Sequence, residues 1–301
     1  MSDHHVEYSC HAYRVRPDEI MQEGFIRDAA KLFSSEYGVW GRHAAQKVGP
    51  SFHHDRRVRM NHDRLRKECV PDGCENIYVI AFGHEQDHLA GFAFKTRLAG
   101  HAFATCWKSG GKTVCWVTQL CVKKAHRKRG LATEILRRVK DKVGGADFFG
   151  ILGSHPAAIM GACRAFGDGI NSLHQDISRD DAETIMRSSP VSYVRNAQLK
   201  GWLFSEDGDD RTSDHSGCCA FTNFWVDHTE PERVLENLRG SPSAVSQVLV
   251  KWPLGELPDG CEFLVLIKNK DASSPPQHAK SANKLLLRPC VGTYESLVGR
   301  E

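Results

Sequence analysis

The sequence predicts an α/β or α+β fold. Three observations predict it. Short β-branched and aromatic runs alternate with amphipathic stretches in the order strand, helix, strand, helix. Residues 130–143 place apolar side chains at helical spacing and end in Gly144-Gly145. The chain has 301 residues and is 41% hydrophobic, enough to build a buried core.

The first strand is expected at residues 11–16, after a polar and flexible N-terminus at 1–10. Pro17, Asp18 and Glu19 then read as a helix start. Ile20, Phe25, Ala29, Leu32 and Phe33 continue it at helical spacing, and the glycines at 38 and 41 mark the turn that follows. Residues 50–67 are basic and polar, with no helix that periodicity places. Residues 77–82 are a strand bounded by Asn76 and Gly83. The run Leu89-Ala90-Gly91-Phe92-Ala93-Phe94 is echoed by Leu98-Ala99-Gly100-His101-Ala102-Phe103, which fits two paired strands or one strand beside a copy. A Gly110-Gly111 turn leads to an apolar strand at 113–122, then the helix at 130–143, a short buried strand at 148–152 and a helix at 157–166. Beyond residue 168 the pattern is less regular. Helices are expected at 180–187 and 230–238, strands at 220–226, 245–252 and 262–267, an acidic loop at 206–216, and a disordered tail at 269–301.

Composition excludes some functions. The net charge of +3 is too mild for a dedicated nucleic-acid binder. No apolar run approaches the length of a membrane span, and the first ten residues lack the apolar stretch of a signal peptide. The 11 cysteines are odd in number and irregular in spacing, and several lie in apolar runs. Free thiols in a reducing, intracellular and cytoplasmic setting are expected, with no metal site, since no zinc-type ligand spacing occurs.

The chemistry concentrates at residues 117–133. An apolar strand ending in Leu120-Cys121-Val122 runs into a basic turn, and Gly130 opens a helix. Backbone N–H groups at a helix start have no intrahelical partner, and the helix dipole adds positive potential there. The result is an anion site suited to a pyrophosphate. Gly130 lets the backbone approach the anion, and Arg127, Lys128 and Arg129 add charge.

Arg127-Lys128-Arg129-Gly130-Leu131-Ala132 resembles the signature of the GNAT superfamily, Gln/Arg-x-x-Gly-x-Gly/Ala. The likeness covers residues 11–167, and residues 252–258 also resemble fungal members. It implies a mixed, mostly antiparallel sheet flanked by helices, in a domain spanning 11–268 with a long insert at about 168–216. It implies acetyl-CoA as cosubstrate. The amides of Arg127, Lys128, Arg129, Gly130, Leu131, Ala132 and Thr133 would hold the pyrophosphate. Leu120, Cys121 and Val122 would pair with the pantetheine arm where two strands splay apart.

Two familiar parts of that family are missing. No Asp or Glu occurs from Lys108 through Thr133, and residues 157–166 contain no tyrosine. Ser154 and His155 stand at the corner the resemblance puts near the thioester. An imidazole of ordinary pKa suits a base at neutral pH, while Ser154 or His155 before Pro156 also reads as a helix N-cap. Tyr37 and Trp40 lie in the loop the resemblance places beside the acceptor. The main reading is direct acetyl transfer to the amine of a small molecule, with no nucleic-acid or membrane partner. A protein lysine or N-terminal acetyltransferase and a non-catalytic coenzyme A-binding module stay open.

Overall fold

The computed structural model describes residues 6–16, 22–86, 94–173, 177, 179–201, 218–240 and 252–273. Eight strands form one sheet in the order β1-β2-β3-β4-β5-β8-β7-β6. They are β1 (Val6–Val15), β2 (Glu75–Gln86), β3 (Phe94–Ser109), β4 (Lys112–Val122), β5 (Phe148–Gly153), β6 (Gln198–Lys200), β7 (Cys219–Phe221) and β8 (Cys261–Lys268). All neighbours are antiparallel except β4 and β5.

Alternation along β2 sorts the helices into two layers. Tyr78 and Ile80 pack with Ile26, Ala29 and Ala30 of α1 (Gln22–Glu36), together with Leu65 and Cys69. The intervening Ile77, Val79 and Ala81 face Leu131, Ile135, Leu136 and Val139 of α4 (Leu131–Val143). Successive strand side chains point to opposite faces, so one strand seeds both cores. Between α1 and α4 in the chain lie the short α2 (Ala44–Lys47) and α3 (His62–Cys69). α3 is the helix that periodicity left unplaced within the basic segment; Asn61 caps it by accepting the Arg64 N–H at 2.8 Å. After α4 come α5 (Pro156–Phe166), α6 (Arg179–Arg187), α7 (Ser192–Arg195) and α8 (Thr229–Gly240).

Two local features shape the centre of the sheet. Phe103 pairs with Gln119 but Ala104 pairs with Val117, so Thr118 is the extra residue of a bulge in β4. Gly150 of β5 sits under Trp116 of β4, and a Cβ there would run into the indole ring. Only glycine fits beneath so large a side chain.

Several expectations need correction. Val6–Cys10 belong to β1 and are not a flexible segment, because Val6 through Val15 pair along their length with β2. β7 stops at Phe221, short of the expected 220–226 strand, because the chain turns away to bridge Trp40 through Val226. The expected insert at 168–216 contributes β6 to the sheet edge, so that part is built into the fold. The echoed segment from Phe94 to Phe103 lies within one strand. Residues 17–21, 87–93, 206–216, 245–251 and 274–301 lie outside the described residues, and so do the readings made on them. No helix among the described residues is long and apolar enough to cross a membrane.

Candidate active site

β4 and β5 pair only from Val114–Phe148 to Val117–Ile151. The bulge at Thr118 follows at once. Beyond it, residues 118–122 have no strand partner on the β5 side among the described residues. The free edge therefore starts mid-sheet and runs toward the turn that opens α4.

That turn is shaped for an anion. Lys128 and Gly130 both have positive φ, 63° and 77°. A chain that alternates into the left-handed region aims successive N–H groups outward. The Glu134 N–H makes the first helical bond, to the Gly130 carbonyl at 3.1 Å, so the amides before it face out. Lys128, Arg129 and Gly130 are exposed, and nothing lies within 4 Å of a Cβ built on Gly130. His126 holds the turn from beneath, buried and 3.1 Å from the Tyr8 hydroxyl.

Arg127 departs from the anion-binding expectation. Its guanidinium turns inward and donates to the Val122 carbonyl at 3.0 Å and the Glu36 carbonyl at 2.7 Å. It also lies 3.6 Å from the Glu230 carboxylate. The side chain fastens β4, α1 and α8 together, which leaves its backbone rather than its charge for a ligand. Cys121 is buried with its thiol pushed up to about 12, by burial first, so it packs rather than reacts.

At the other end of the free edge, Ser154 and His155 close β5. His155 is the N-cap of α5: its Nδ1 accepts the Ala157 N–H at 3.1 Å. Burial lowers its pKa, Glu230 opposes that, and Arg127 adds to it. A neutral imidazole has one lone pair, and here the backbone occupies it. The ring that the sequence offered as a base is therefore committed to capping.

Tyr37 and Trp40 separate. Trp40 is 7% exposed and packs edge-on against Phe52 and Phe224, as core of the loop layer. Tyr37 stacks on Phe33, and the Ser154 side chain is a polar neighbour of its hydroxyl. Two further polar groups join it that the sequence reading missed. Tyr193 of α7 donates to the carbonyl of the bulged Thr118 at 3.1 Å. Glu262 of β8 is 6% exposed. The signal for Glu262 was a single carboxylate inside the apolar run from Cys261 to Ile267. Tyr193 carried no such signal, since nothing local ties it to β4.

Beside Ser154 lies a cavity of about 230 Å³ under α8, rimmed by Glu232, Glu236 and Glu256 and by Arg239. Burial, then Asp259, Asp227 and Glu236, raise the pKa of Glu232, as expected where like charges gather. Among the described residues no group of three or more His, Cys, Asp and Glu is arranged to hold a metal ion.

Residues 49–155 match the family described as Acetyltransferase (GNAT) family. Over that stretch the chain is similar to a GNAT acetyltransferase domain. The match takes in β4, the turn, α4 and β5, ending at His155. That family uses acetyl-CoA and transfers acyl groups. No curated protein matches the chain. Solved structures similar to it include an aminoglycoside acetyltransferase from an uncultured soil metagenomic sample, at 18% identity and TM-score 0.32, covering 56% of this chain and 97% of that one. Another is the NatC complex bound to Gag peptide and CoA, at 12% identity and TM-score 0.29, covering 52% and 83%. A third is Arabidopsis thaliana NAA60 with a bisubstrate analogue, at 14% identity and TM-score 0.27, covering 52% and 82%.

Proposed function

We propose that the chain is an N-acetyltransferase that moves the acetyl group of acetyl-CoA to the amine of a small molecule, by direct attack while both are bound. The observation that carries this reading is the free edge of β4, which joins an outward-facing amide turn at one end to Ser154 and Tyr37 at the other. The backbone of residues 127–133 would hold the pyrophosphate, and Leu120, Cys121 and Val122 would offer the strand edge. The ligand supplies an activated acetyl thioester. The protein's part is to align it, exclude water and remove a proton from the amine.

The cavity beside Ser154 supports a small acceptor. Its volume, about 230 Å³, is below the range of drug-sized sites, roughly 300–1,000 Å³. Its rim has three carboxylates against one guanidinium, which favours a cationic amine.

The test is acetyl-CoA-dependent thiol release across small amines and peptides, with calorimetry for acetyl-CoA binding. Gly130→Glu should abolish acetyl-CoA binding. Gly130→Ala has the same left-handed strain but no charge, and should lose no more than about tenfold. Equal binding by both variants sinks the anion site. Release with peptides alone, and with no small amine, sinks the small-acceptor reading.

A further inference from the structure

Glu262 interrupts the apolar run from Cys261 to Ile267, and the sheet register carries it to the end of β5, beside the candidate site. Gly153 pairs with Phe263 and Ala220 with Glu262, so Glu262 stands one residue beyond the last partner of β5, at the end of the strand that Ser154 follows. Tyr37, beside Ser154, and Tyr193, which bonds the bulge carbonyl, both feel the Glu262 carboxyl electrostatically. The Thr222 hydroxyl is its polar neighbour, and no cationic side chain among the described residues acts on it. A buried carboxyl without a cation is costly to keep ionised. Folds retain such groups where protons move.

Resting on the acetyltransferase reading above, we propose that Glu262 is the catalytic base of this chain, the group that takes the proton from the acceptor amine. The carboxylate removes one proton from the ammonium. The freed lone pair attacks the thioester carbon, so the C–N bond forms and the C–S bond breaks with its electron pair going to sulfur. The second proton shed by nitrogen ends on that sulfur, and Glu262 returns its own proton to solvent. Burial pushes the carboxyl up to about 7, with Thr222 pulling it back down. The facing titratable groups, Tyr37 and Tyr193, are both raised well above the ordinary tyrosine value, by burial first. They stay neutral across the range in which Glu262 ionises. The family's habit of placing a carboxylate on the motif strand is thus met here from β8, on the far side of β5.

The experiment compares wild type with Glu262→Gln and Glu262→Asp, using acetyl-CoA and the amine that wild type turns over best. Circular dichroism and acetyl-CoA calorimetry serve as controls for folding and donor binding. Glu262→Gln should lose about 100-fold or more in kcat at pH 7 with acetyl-CoA affinity kept. Wild-type kcat should rise through about pH 7, and the Gln variant should lack that limb. The Asp variant should regain part of the rate and the limb, which a merely structural role would not require. A folded Gln variant with wild-type rate and an unchanged pH profile overturns the assignment and leaves the acetyltransferase reading standing. Failure of wild type to acetylate any amine overturns both.

Discussion

A histidine before a helix-starting proline can cap or catalyse, and its ring nitrogens decide which. In His155 the Nδ1 lone pair meets the Ala157 N–H, so the remaining nitrogen carries the proton. Asparagine caps as well as any residue, and alanine does not cap. His155→Ala should therefore cost about 0.5–2 kcal/mol in urea unfolding, and His155→Asn should restore most of it. Turnover at saturating substrate should stay within a few-fold of wild type in both. A loss beyond tenfold in the well-folded Asn variant would return His155 to the chemistry. Residues of this kind mark how far sequence reading reaches. The motif singled out Ser154 and His155 at the end of β5, but choosing between lone-pair uses needed the bond itself. Tyr37 and Trp40 are three positions apart and looked equivalent. Phe224 touches both rings, and the partners that separate them, Ser154 for Tyr37 and Phe52 for Trp40, lie outside their own loop.

At the scale of elements, the strand–turn–helix from β4 to α4 was legible because each part carries its own local signal: an apolar run, a basic turn, a helical face and a glycine stop. β6 and β7 were not legible as they stand, because strands of three residues have too few positions to show alternation. The junction of β4 and β5 depends on Gly150, where Trp116 occupies the space a side chain would take. Gly150→Ala should push the indole aside and strain both strands, at about 1–3 kcal/mol, as overpacked cores do. Acetyl-CoA affinity should fall along with stability, since the splay starts one pair further on. A variant that unfolds and binds like wild type would mean the sheet absorbs the methyl group, and that the splay does not depend on this contact.

For the molecule as a whole, one buried acid ties stability to pH. The folded-state pKa of Glu262, about 7, lies above its ordinary value of 4.5. The folded protein therefore holds that proton more tightly than the unfolded chain. The stabilising contribution is complete below about pH 4.5 and is lost as pH rises through 7. The full swing corresponds to about 3 kcal/mol at roughly 1.4 kcal/mol per unit. Glu262→Gln has no such proton to lose. Its unfolding free energy should exceed that of wild type by up to about 3 kcal/mol at pH 8, and the gap should close toward pH 4.5. A gap that does not change between those pH values would place the carboxyl in contact with water or a cation.

The pairing of β5 with β8 also sets when the protein becomes able to work. Ribosomes deliver Gly130 and Ser154 before Glu262, because synthesis runs from the N-terminus. A nascent chain that has already formed β1 to β5 would have its amide turn in place while the strand carrying Glu262 is still unmade. If Glu262 is the base, donor binding would precede competence to transfer, and the last strand of the sheet to be synthesised would be the step that arms the protein.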